Sequence, residues 1–424
     1  MTANGGTWLR RETFMPPIMP GIGRCSARRG IGYCRPVRIL CSFVGGAGHL
    51  VPQLPLHVAL AEAGHELTLV GRESAAAAAP AGVYRRIAAV PDRRAHFADA
   101  IAPLAPVDIE HELSVVERYF AGEAAQRAAA SVSSELSGVD LVVCDEVDFG
   151  AMAAAQRAGV PVAVVAVIVS GALVRPNRLT GALEALRLEL GMPMPIRPRG
   201  DLFVVPFAPT MRDPRFPAPD DAPWVRPEPG RDPRTEPYVV ATLGTEFNTE
   251  SGDLFDRILA ALDGTGTPAT VAVGRDLDPA RFGPQPSHVR VEQYIDLDAA
   301  LSRADIVLHH GGSGLFVRSV LGGAAQIVFP MGADQPFTAA RVRDLGLGHV
   351  LDPLTASADA IAQAITNVRA DQSVKRRVEA LRLEALALPR PSTIVGRLEA
   401  LAKTASCTPW CPRPRAGEPT IDVP

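Results

Sequence analysis

A histidine that could act as a base follows the first predicted strand. His49 ends a glycine-rich stretch, residues 45–49, directly after the apolar run 37–44. The stretch has no Lys-Ser/Thr pair, so it is not a P-loop, and Val51 stands where a dinucleotide fingerprint has its third glycine. An imidazole at the carboxyl end of a strand can accept a proton near neutral pH. The alternative is a packing or helix-capping histidine.

A carboxylate follows a second apolar run, residues 139–144, in the same way. Asp145 could orient an imidazole beside it and stabilise its charge. Glu146 and Asp148 compete for that role. Because an aspartate after a strand often caps the next helix, and a helix is predicted from Phe149, a capping role stays open for Asp145.

The strongest signal is a His-Gly-Gly turn, residues 310–312, between the apolar run 306–309 and a predicted helix. Free backbone N–H groups and the helix dipole attract anions at such a point. Glycines let a diphosphate approach the backbone, and His310 can donate a hydrogen bond to a phosphate oxygen. The turn therefore predicts an anion site, and a purely structural turn is the alternative.

Two further polar residues follow the next apolar run, residues 326–329. Asp334 and Gln335 offer acceptor and donor groups suited to sugar hydroxyls. Since Asp-Gln-Pro is also a good turn sequence, this interpretation depends on the position of the pair behind the His-Gly-Gly turn.

These motifs lie in an alternation of strands and helices that predicts an α/β fold with doubly wound parallel sheets. Residues 74–135 have helical character and few large apolar residues. Residues 206–237 contain ten prolines in 32 positions, which predicts an extended interdomain connection. The strands are predicted at 37–44, 66–70, 139–144, 160–169, 238–243, 269–273, 289–292, 306–309 and 326–329, and the helices at 50–63, 149–158, 254–262, 315–322, within 336–345 and within 357–403.

The connection divides the chain into two Rossmann-like domains that face each other across a cleft. The first domain is predicted over 37–205 and the second over 238–403. The ends, 1–36 and 404–424, are predicted to be disordered.

Composition excludes several classes of protein. The 424 residues carry 43 Lys+Arg against 46 Asp+Glu, a formal net charge of −3, which gives no electrostatic footprint for nucleic acid. No apolar run reaches the roughly 20 residues of a membrane span. Cys41 and Cys144 lie in apolar runs and are expected to be buried free thiols in a cytoplasmic protein. The pair Cys407 and Cys411 has no histidine or second cysteine pair nearby, so no metal site is predicted.

In order along the chain, the motifs resemble those of family 1 glycosyltransferases with the GT-B fold, and most closely the bacterial antibiotic and macrolide transferases. The histidine motif 309–314, followed by Asp334 and Gln335, resembles the donor-sugar signature. Residues 48–52 resemble the N-terminal Gly-His-x-x-Pro motif, and residues 242–245 resemble the start of the second domain. The resemblance covers roughly 37–403.

The resemblance implies that the domain 37–205 binds the acceptor and the domain 238–403 the nucleotide-sugar, and it implies a role for each matching residue. His49 would deprotonate the acceptor hydroxyl and Asp145 would orient His49. Asp334 and Gln335 would hold the donor sugar. The diphosphate would be held by Thr245, His310 and Gly312, and the nucleotide base would stack on Tyr294. Gly311 and Ser313 would be further donor-binding residues.

Two residues depart from the family pattern. Leu315 stands where a threonine or serine usually offers the phosphate a hydroxyl, and Asp296 replaces a proline common two residues after the stacking aromatic.

The resulting hypothesis is a metal-independent, inverting hexosyltransferase that needs no cofactor. It moves a sugar from a UDP- or dTDP-linked donor to a hydroxyl of an apolar natural product. A nucleotide-sugar epimerase and a non-catalytic auxiliary partner of another transferase are the alternatives. A homodimer is left open. Residues 74–135 and 170–205 are expected to shape the acceptor pocket.

Overall fold

The computed structural model describes residues 35–91, 101–227 and 237–405. Nearly all of both predicted disordered ends, with Cys407 and Cys411, lies outside the described residues, as does 228–236 of the predicted connection.

Six parallel strands form the first sheet, in the order β3-β2-β1-β4-β5-β6. Its central strands carry continuous runs of buried residues, as expected of a parallel sheet covered by helices on both faces. The strands are β1 (Arg38–Ser42), β2 (Glu66–Arg72), β3 (Arg86–Val90), β4 (Leu141–Asp145), β5 (Val162–Val165) and β6 (Leu202–Val204).

A second sheet of six parallel strands has the order β12-β11-β10-β7-β8-β9. Both sheets therefore have the 3-2-1-4-5-6 strand order of the Rossmann fold, in which ligands bind where the order reverses. That point lies between β1 and β4 in the first sheet and between β7 and β10 in the second. The strands are β7 (Val239–Thr242), β8 (Ala269–Ala272), β9 (Val289–Glu292), β10 (Ile306–His309), β11 (Ala325–Val328) and β12 (Gly348–Val350).

Helices connect the strands in both halves of the described chain. Those up to residue 227 are α1 (Ala47–Leu50), α2 (Leu54–Glu62), α3 (Glu73–Ala76), α4 (Ile109–Val115), a π-helical segment (Val116–Glu123), α5 (Ala124–Glu135), α6 (Phe149–Arg157) and α7 (Pro176–Glu189). Those from residue 237 are α8 (Leu254–Thr265), α9 (Leu297–Leu301), α10 (Ser313–Leu321), α11 (Gln335–Leu345), α12 (Ala358–Ala370), α13 (Gln372–Ala387) and α14 (Val395–Ala405). Short 3-10 turns lie at Val51–Gln53, Pro209–Met211, Asn248–Glu250, Pro279–Phe282 and Pro391–Ile394.

The nine predicted strands are all present, and the predicted doubly wound α/β class is confirmed. The helical prediction for 74–135 is wrong at 86–90, which forms the edge strand β3. Its burial pattern is mostly exposed, so it carries no buried apolar run that would mark a strand. The single helix predicted over 50–63 is divided into α1, a 3-10 turn and α2, with prolines at positions 52 and 55.

Residues 206–227 differ from the extended connection predicted for them. Met211 and Val225 are buried, and Trp224 packs edge-on against Phe207 with 6.4 Å between ring centres. Burial of these apolar side chains fixes the proline-rich segment against the first sheet. From the second half, Arg341 donates a hydrogen bond to the Thr210 carbonyl at 2.8 Å.

The C-terminal helix α14 returns to the first sheet. Its residues Val395, Leu398 and Ala402 share a buried cluster with Ile39 and Leu69 of the first sheet. The end of the predicted second domain, 238–403, therefore packs on the first sheet. The domain limits 37–205 and 238–403 stay a prediction.

No helix in the described parts of the chain is long and apolar enough to cross a membrane.

Candidate active site

His49 and Asp145 meet where the strand order of the first sheet reverses. His49 lies in α1, just after β1, and Asp145 is the last residue of β4. Nδ1 of His49 is 3.5 Å from Oδ2 of Asp145, and the histidine side chain is 20% exposed while the aspartate side chain is fully buried. Catalytic contacts are often this long before substrate binds. The ring therefore turns its other nitrogen, Nε2, away from the carboxylate.

The surroundings of His49 favour its protonated form. Burial opposes the charge, but the negative charges of Asp145, Asp334 and Glu246 outweigh burial, so the pKa of His49 is raised above its usual value. Glu246 and Asp334 belong to the second half of the chain, and the Glu246 carboxylate lies 3.8 Å from the Arg72 guanidinium of the first half, so the two halves are in contact here. Phe120 stacks on the imidazole with 5.9 Å between ring centres.

Backbone contacts fix both members of the pair. Asp145 accepts hydrogen bonds from the N–H groups of Val44 and Val147, each at 2.8 Å. Gln53, which is fully buried, donates to the carbonyl of His49 at 2.9 Å. These bonds hold the carboxylate and the histidine backbone against β1 and β4.

The two competing carboxylates have other partners. Asp148 caps α6 by accepting from Ala151 N–H, and it also accepts the Ser42 hydroxyl at 2.6 Å. Burial and the charge of Asp145 raise the pKa of Asp148. Glu146 accepts from the backbone N–H of Val167 at 2.7 Å. The capping role that was open for Asp145 therefore belongs to Asp148.

His310 lies in a narrow slot at the corresponding point of the second sheet. A Cβ built on Gly312 would lie 2.7 Å from Nε2 of His310, so glycine is required for this close approach. Phe247 stacks on the other side of the slot, 6.2 Å from the imidazole centre. Burial and the neighbouring His309 lower the pKa of His310 to about 3, which keeps the ring neutral with one N–H to donate. Nδ1 is buried and has no hydrogen-bond partner among the described residues.

The first histidine of the motif has a structural role. His309 is fully buried, its Nε2 lies 2.9 Å from Oε1 of Gln326, and its Nδ1 accepts from Gly311 N–H at 3.1 Å. Burial lowers the pKa of His309 to about 4. The Gly311 amide, one of the predicted anion ligands, is therefore used inside the turn.

The α10 N-terminus is capped from within the protein. Oδ2 of Asp334 accepts both the N–H of Ser313, at 3.0 Å, and its hydroxyl. The Ser313 hydroxyl in turn accepts from Val169 N–H at 2.9 Å, a bond between the two halves. Of the first-turn amides that no helix carbonyl reaches, those of Gly314 and Leu315 remain for an anion, beside the Gly312 amide that precedes the helix.

Asp334 and Gln335 have different environments. Asp334 faces Ser313, and burial raises the pKa of its carboxyl group. Gln335 is 1% exposed, and its Oε1 accepts from the backbone N–H groups of Met331 and Gly332 at 2.7 and 3.2 Å. In this structure the Gln335 side chain holds the loop that ends at Asp334.

The remaining predicted donor residues lie at the surface. Thr245 is exposed in the loop after β7. Tyr294 is 66% exposed, and the guanidinium of Arg275 lies over its ring at 5.0 Å.

The two departures from the family pattern have structural explanations. Leu315 is buried in the first turn of α10 and belongs to the core rather than to the loop surface. Asp296 caps α9 by accepting from Ala299 N–H at 3.0 Å.

Sequence reasoning missed two aromatic residues and one acid. Phe120 comes from the π-helical segment, where the backbone is non-helical at Gly122; such segments are frequent at functional sites but carry no sequence signature here. Phe247 and Glu246 follow Thr245 directly. A Cβ built on Gly46 would lie 2.5 Å from the Glu246 carboxylate, which places this acid against the glycine-rich stretch before His49.

Comparison with known proteins agrees with this fold. Residues 276–401 match the family described as erythromycin biosynthesis protein CIII-like, C-terminal domain. The spinosyn rhamnosyltransferase SpnG, solved with thymidine diphosphate, superposes with a TM-score of 0.69 at 20% identity, covering 86% of this chain and 100% of its own. The calicheamicin glycosyltransferase CalG4 gives a TM-score of 0.67 at 24% identity, over 87% and 99%. The chain has the GT-B fold.

Curated relatives of this GT-B chain are macrolide and antibiotic glycosyltransferases, as the motifs predicted. The L-demethylnoviosyl transferase of Streptomyces niveus is 28% identical over 84% of this chain and 99% of its own. The tylactone mycaminosyltransferase of Streptomyces fradiae is 32% identical over 47% of this chain. That match spans 42% of the mycaminosyltransferase, so the chain covers about two fifths of its length.

Proposed function

We propose that this chain is an inverting glycosyltransferase that moves a sugar from a nucleoside diphosphate to a hydroxyl of an apolar natural product. One observation carries the proposal. The His49–Asp145 pair lies at the switch point of the first sheet. In the same half, Val169 N–H donates to the Ser313 hydroxyl, which Asp334 holds at the α10 N-terminus, at the switch point of the second sheet. A base on one sheet thus lies close to an anion-binding helix end on the other.

The chemistry assigned to the first half is proton transfer. The acceptor oxygen attacks the anomeric carbon as Nε2 of His49 takes its proton. The new carbon–oxygen bond forms while the bond to the diphosphate breaks. Asp145, 3.5 Å from Nδ1, stabilises the imidazolium that results. A single displacement of this kind inverts the anomeric configuration.

The second half stabilises the leaving group. The Gly312, Gly314 and Leu315 amides, the α10 dipole and the neutral His310 donor would balance the charge of the diphosphate. Asp334 and Gln335 are assigned to the sugar, and Thr245 and Tyr294 to the phosphate and base. With Gln335 bound to its own loop, we expect Asp334 to be the principal sugar ligand.

The donor is assigned to the thymidine diphosphate class, with UDP-sugars as the alternative. Several solved structures of this fold, including VinC and SsfS6, are complexes with thymidine diphosphate, and one relative is named TDP-daunosamine transferase. Relatives named for the acceptors tylactone and 10-deoxymethynolide support an apolar aglycone. The relatives carry transferase names, which gives the epimerase and auxiliary-partner alternatives no support. A cytoplasmic location and a homodimer stay predictions.

The first experiment is thermal unfolding with dTDP, with UDP and with neither, each with EDTA present. A ligand at 100 times its dissociation constant adds about 2.7 kcal/mol, which raises the midpoint by roughly 5–10 °C for domains of this size. Product analysis with a dTDP-sugar and a macrolide aglycone then measures transfer. A rearranged sugar nucleotide formed without aglycone would show an epimerase, and a protein that binds neither nucleotide would be an auxiliary partner.

A further inference from the structure

A cavity lies in the first half of the chain. Gly171 and Arg199 in its lining belong to residues 170–205, which are expected to shape the acceptor pocket, but no residue assigned to the base, the diphosphate or the sugar lines it. Its volume is about 400 Å³. Three arginines, Arg199, Arg212 and Arg215, line it together with Gly171 and Phe216. Positive charge collected around a cavity is typical of a site for an anion.

The main evidence for a ligand in this cavity is the environment of Arg212. Its side chain is deeply buried, with 7% of the residue exposed. Nε donates to the Phe216 carbonyl at 2.8 Å, but Nη1 is buried and finds no hydrogen-bond partner in the described ranges. A buried guanidinium with an unused donor is costly unless a partner completes its hydrogen bonds.

The backbone beside Arg212 is shaped to admit the guanidinium. Gly171 has a φ of +70°, and a Cβ built there would collide with Nη2 of Arg212. Asp213 N–H bonds to the Ser170 carbonyl at 3.2 Å, which ties the arginine segment to the loop after β5.

The nearby carboxylates have other hydrogen-bond partners. The negative charge of Glu146 raises the pKa of Arg212, but Oε1 of Glu146 accepts a hydrogen bond from Val167 N–H. Asp213 forms an ion pair with Arg215 at 2.7 Å. The described residues that line the cavity include three arginines and one acid, Asp220.

We propose that this cavity binds an oxyanion, a carboxylate or a phosphate group on a small molecule. The oxyanion pairs with Arg212 where that residue lines the cavity, and Arg199 and Arg215 hold it from the rim. A planar guanidinium pairs readily with either group. No residue assigned to the diphosphate site at α10 lines this arginine cavity, and the proposal does not depend on glycosyl transfer.

The test is calorimetric titration of the full chain with sodium citrate and with sodium phosphate, at an ionic strength fixed by sodium chloride. Both titrations are run with and without saturating dTDP. Arg199→Ala removes an exposed charge at the rim. Arg212→Lys keeps the buried charge but loses the planar guanidinium and its paired N–H donors. We expect each to weaken binding about tenfold, since a charge-assisted hydrogen bond is lost. Arg290→Ala, an exposed arginine of β9 paired with Glu292, is the matched control.

Each outcome decides the proposal. Citrate binding that Arg199→Ala weakens supports a carboxylate ligand, and phosphate binding that it weakens supports a phosphate ligand. If dTDP abolishes phosphate binding and Arg199→Ala does not change it, the phosphate binds at the α10 site. That result, together with no binding of citrate, overturns the proposal. No heat with either anion also overturns it. If Arg212→Lys binds both anions with wild-type affinity, the buried Arg212 guanidinium does not contact the anion.

Discussion

Asp145 Oδ2 lies 3.5 Å from His49 Nδ1 while also accepting the backbone N–H of Val44 at 2.8 Å. One carboxylate oxygen thus faces the imidazole and also fixes the end of β1, the strand that leads to His49. The position of the proposed base and the electrostatic control of its proton therefore depend on the same atom.

Replacing the base is the most direct test of this arrangement. For His49→Ala we expect kcat to fall about 10²–10⁴-fold, because general-base assistance is lost. Affinity for the nucleoside diphosphate should remain, since its assigned ligands belong to the second half. Steady-state kinetics and nucleotide titration measure the two effects. His349→Ala, at an exposed position of β12, is the matched control. Near wild-type turnover in His49→Ala would exclude His49 as the base.

Removing the charge of Asp145 should change the pH profile. His49 must be neutral to accept a proton, so kcat/KM falls as the pH drops below its pKa. Asp145→Asn removes the largest influence that raises this pKa, so the acidic limb should move to lower pH. The plateau should fall about tenfold or more because the imidazolium loses its stabilising charge. A limb that stays in place would contradict the coupling of the two residues.

Replacing Asp334 should weaken binding of the donor sugar more than binding of the nucleotide. We expect Asp334→Ala to raise KM for the donor sugar nucleotide about tenfold or more, because an assigned charged hydrogen bond to the sugar is lost. Affinity for the bare nucleoside diphosphate should change much less. Titration with both ligands measures the difference, and Asp344→Ala on the exposed face of α11 is the control. Equal losses for both ligands would mean that Asp334 acts only by holding Ser313.

A buried histidine outside the site should make the fold sensitive to acid. His57 is fully buried, with Nδ1 2.7 Å from the Tyr84 hydroxyl, and burial lowers its pKa to about 3. The unfolded chain takes up a proton at this residue below about pH 6.5, whereas the folded chain does not until about pH 3. The free energy of unfolding therefore falls with decreasing pH in that window, by up to about 1.4 kcal/mol per pH unit for this group.

Urea unfolding at several pH values tests this linkage. His57→Gln should flatten the dependence on pH relative to the wild type, and His349→Gln, at an exposed position, should leave it unchanged. Parallel curves for the wild type and His57→Gln would show that His57 does not contribute. His309 and His310, whose pKa values burial also lowers, should contribute with the same sign.

The predicted site depended on a regularity that is local in sequence. His49, Asp145, His310 and Asp334 each follow an apolar run, and parallel strands place such residues at one edge of a sheet. Buried parallel strands are recognisable because both faces are apolar. The edge strand β3 was missed for the same reason, since its mostly exposed residues break the pattern.

The sequence by itself determined the two doubly wound halves and the order of their polar turns, because hydrophobic runs and glycine turns act within a few residues. The tertiary structure alone decided how these residues are used. It placed Phe120 on His49, bound Ser313 to Asp334, turned Gln335 into its own loop, and gave the helix-capping role to Asp148. The first two contacts join segments that pack together only in the folded chain, which no local pattern encodes. The contacts of Gln335 and Asp148 reach only three or four residues along the chain, and their geometry follows from loop conformation and burial.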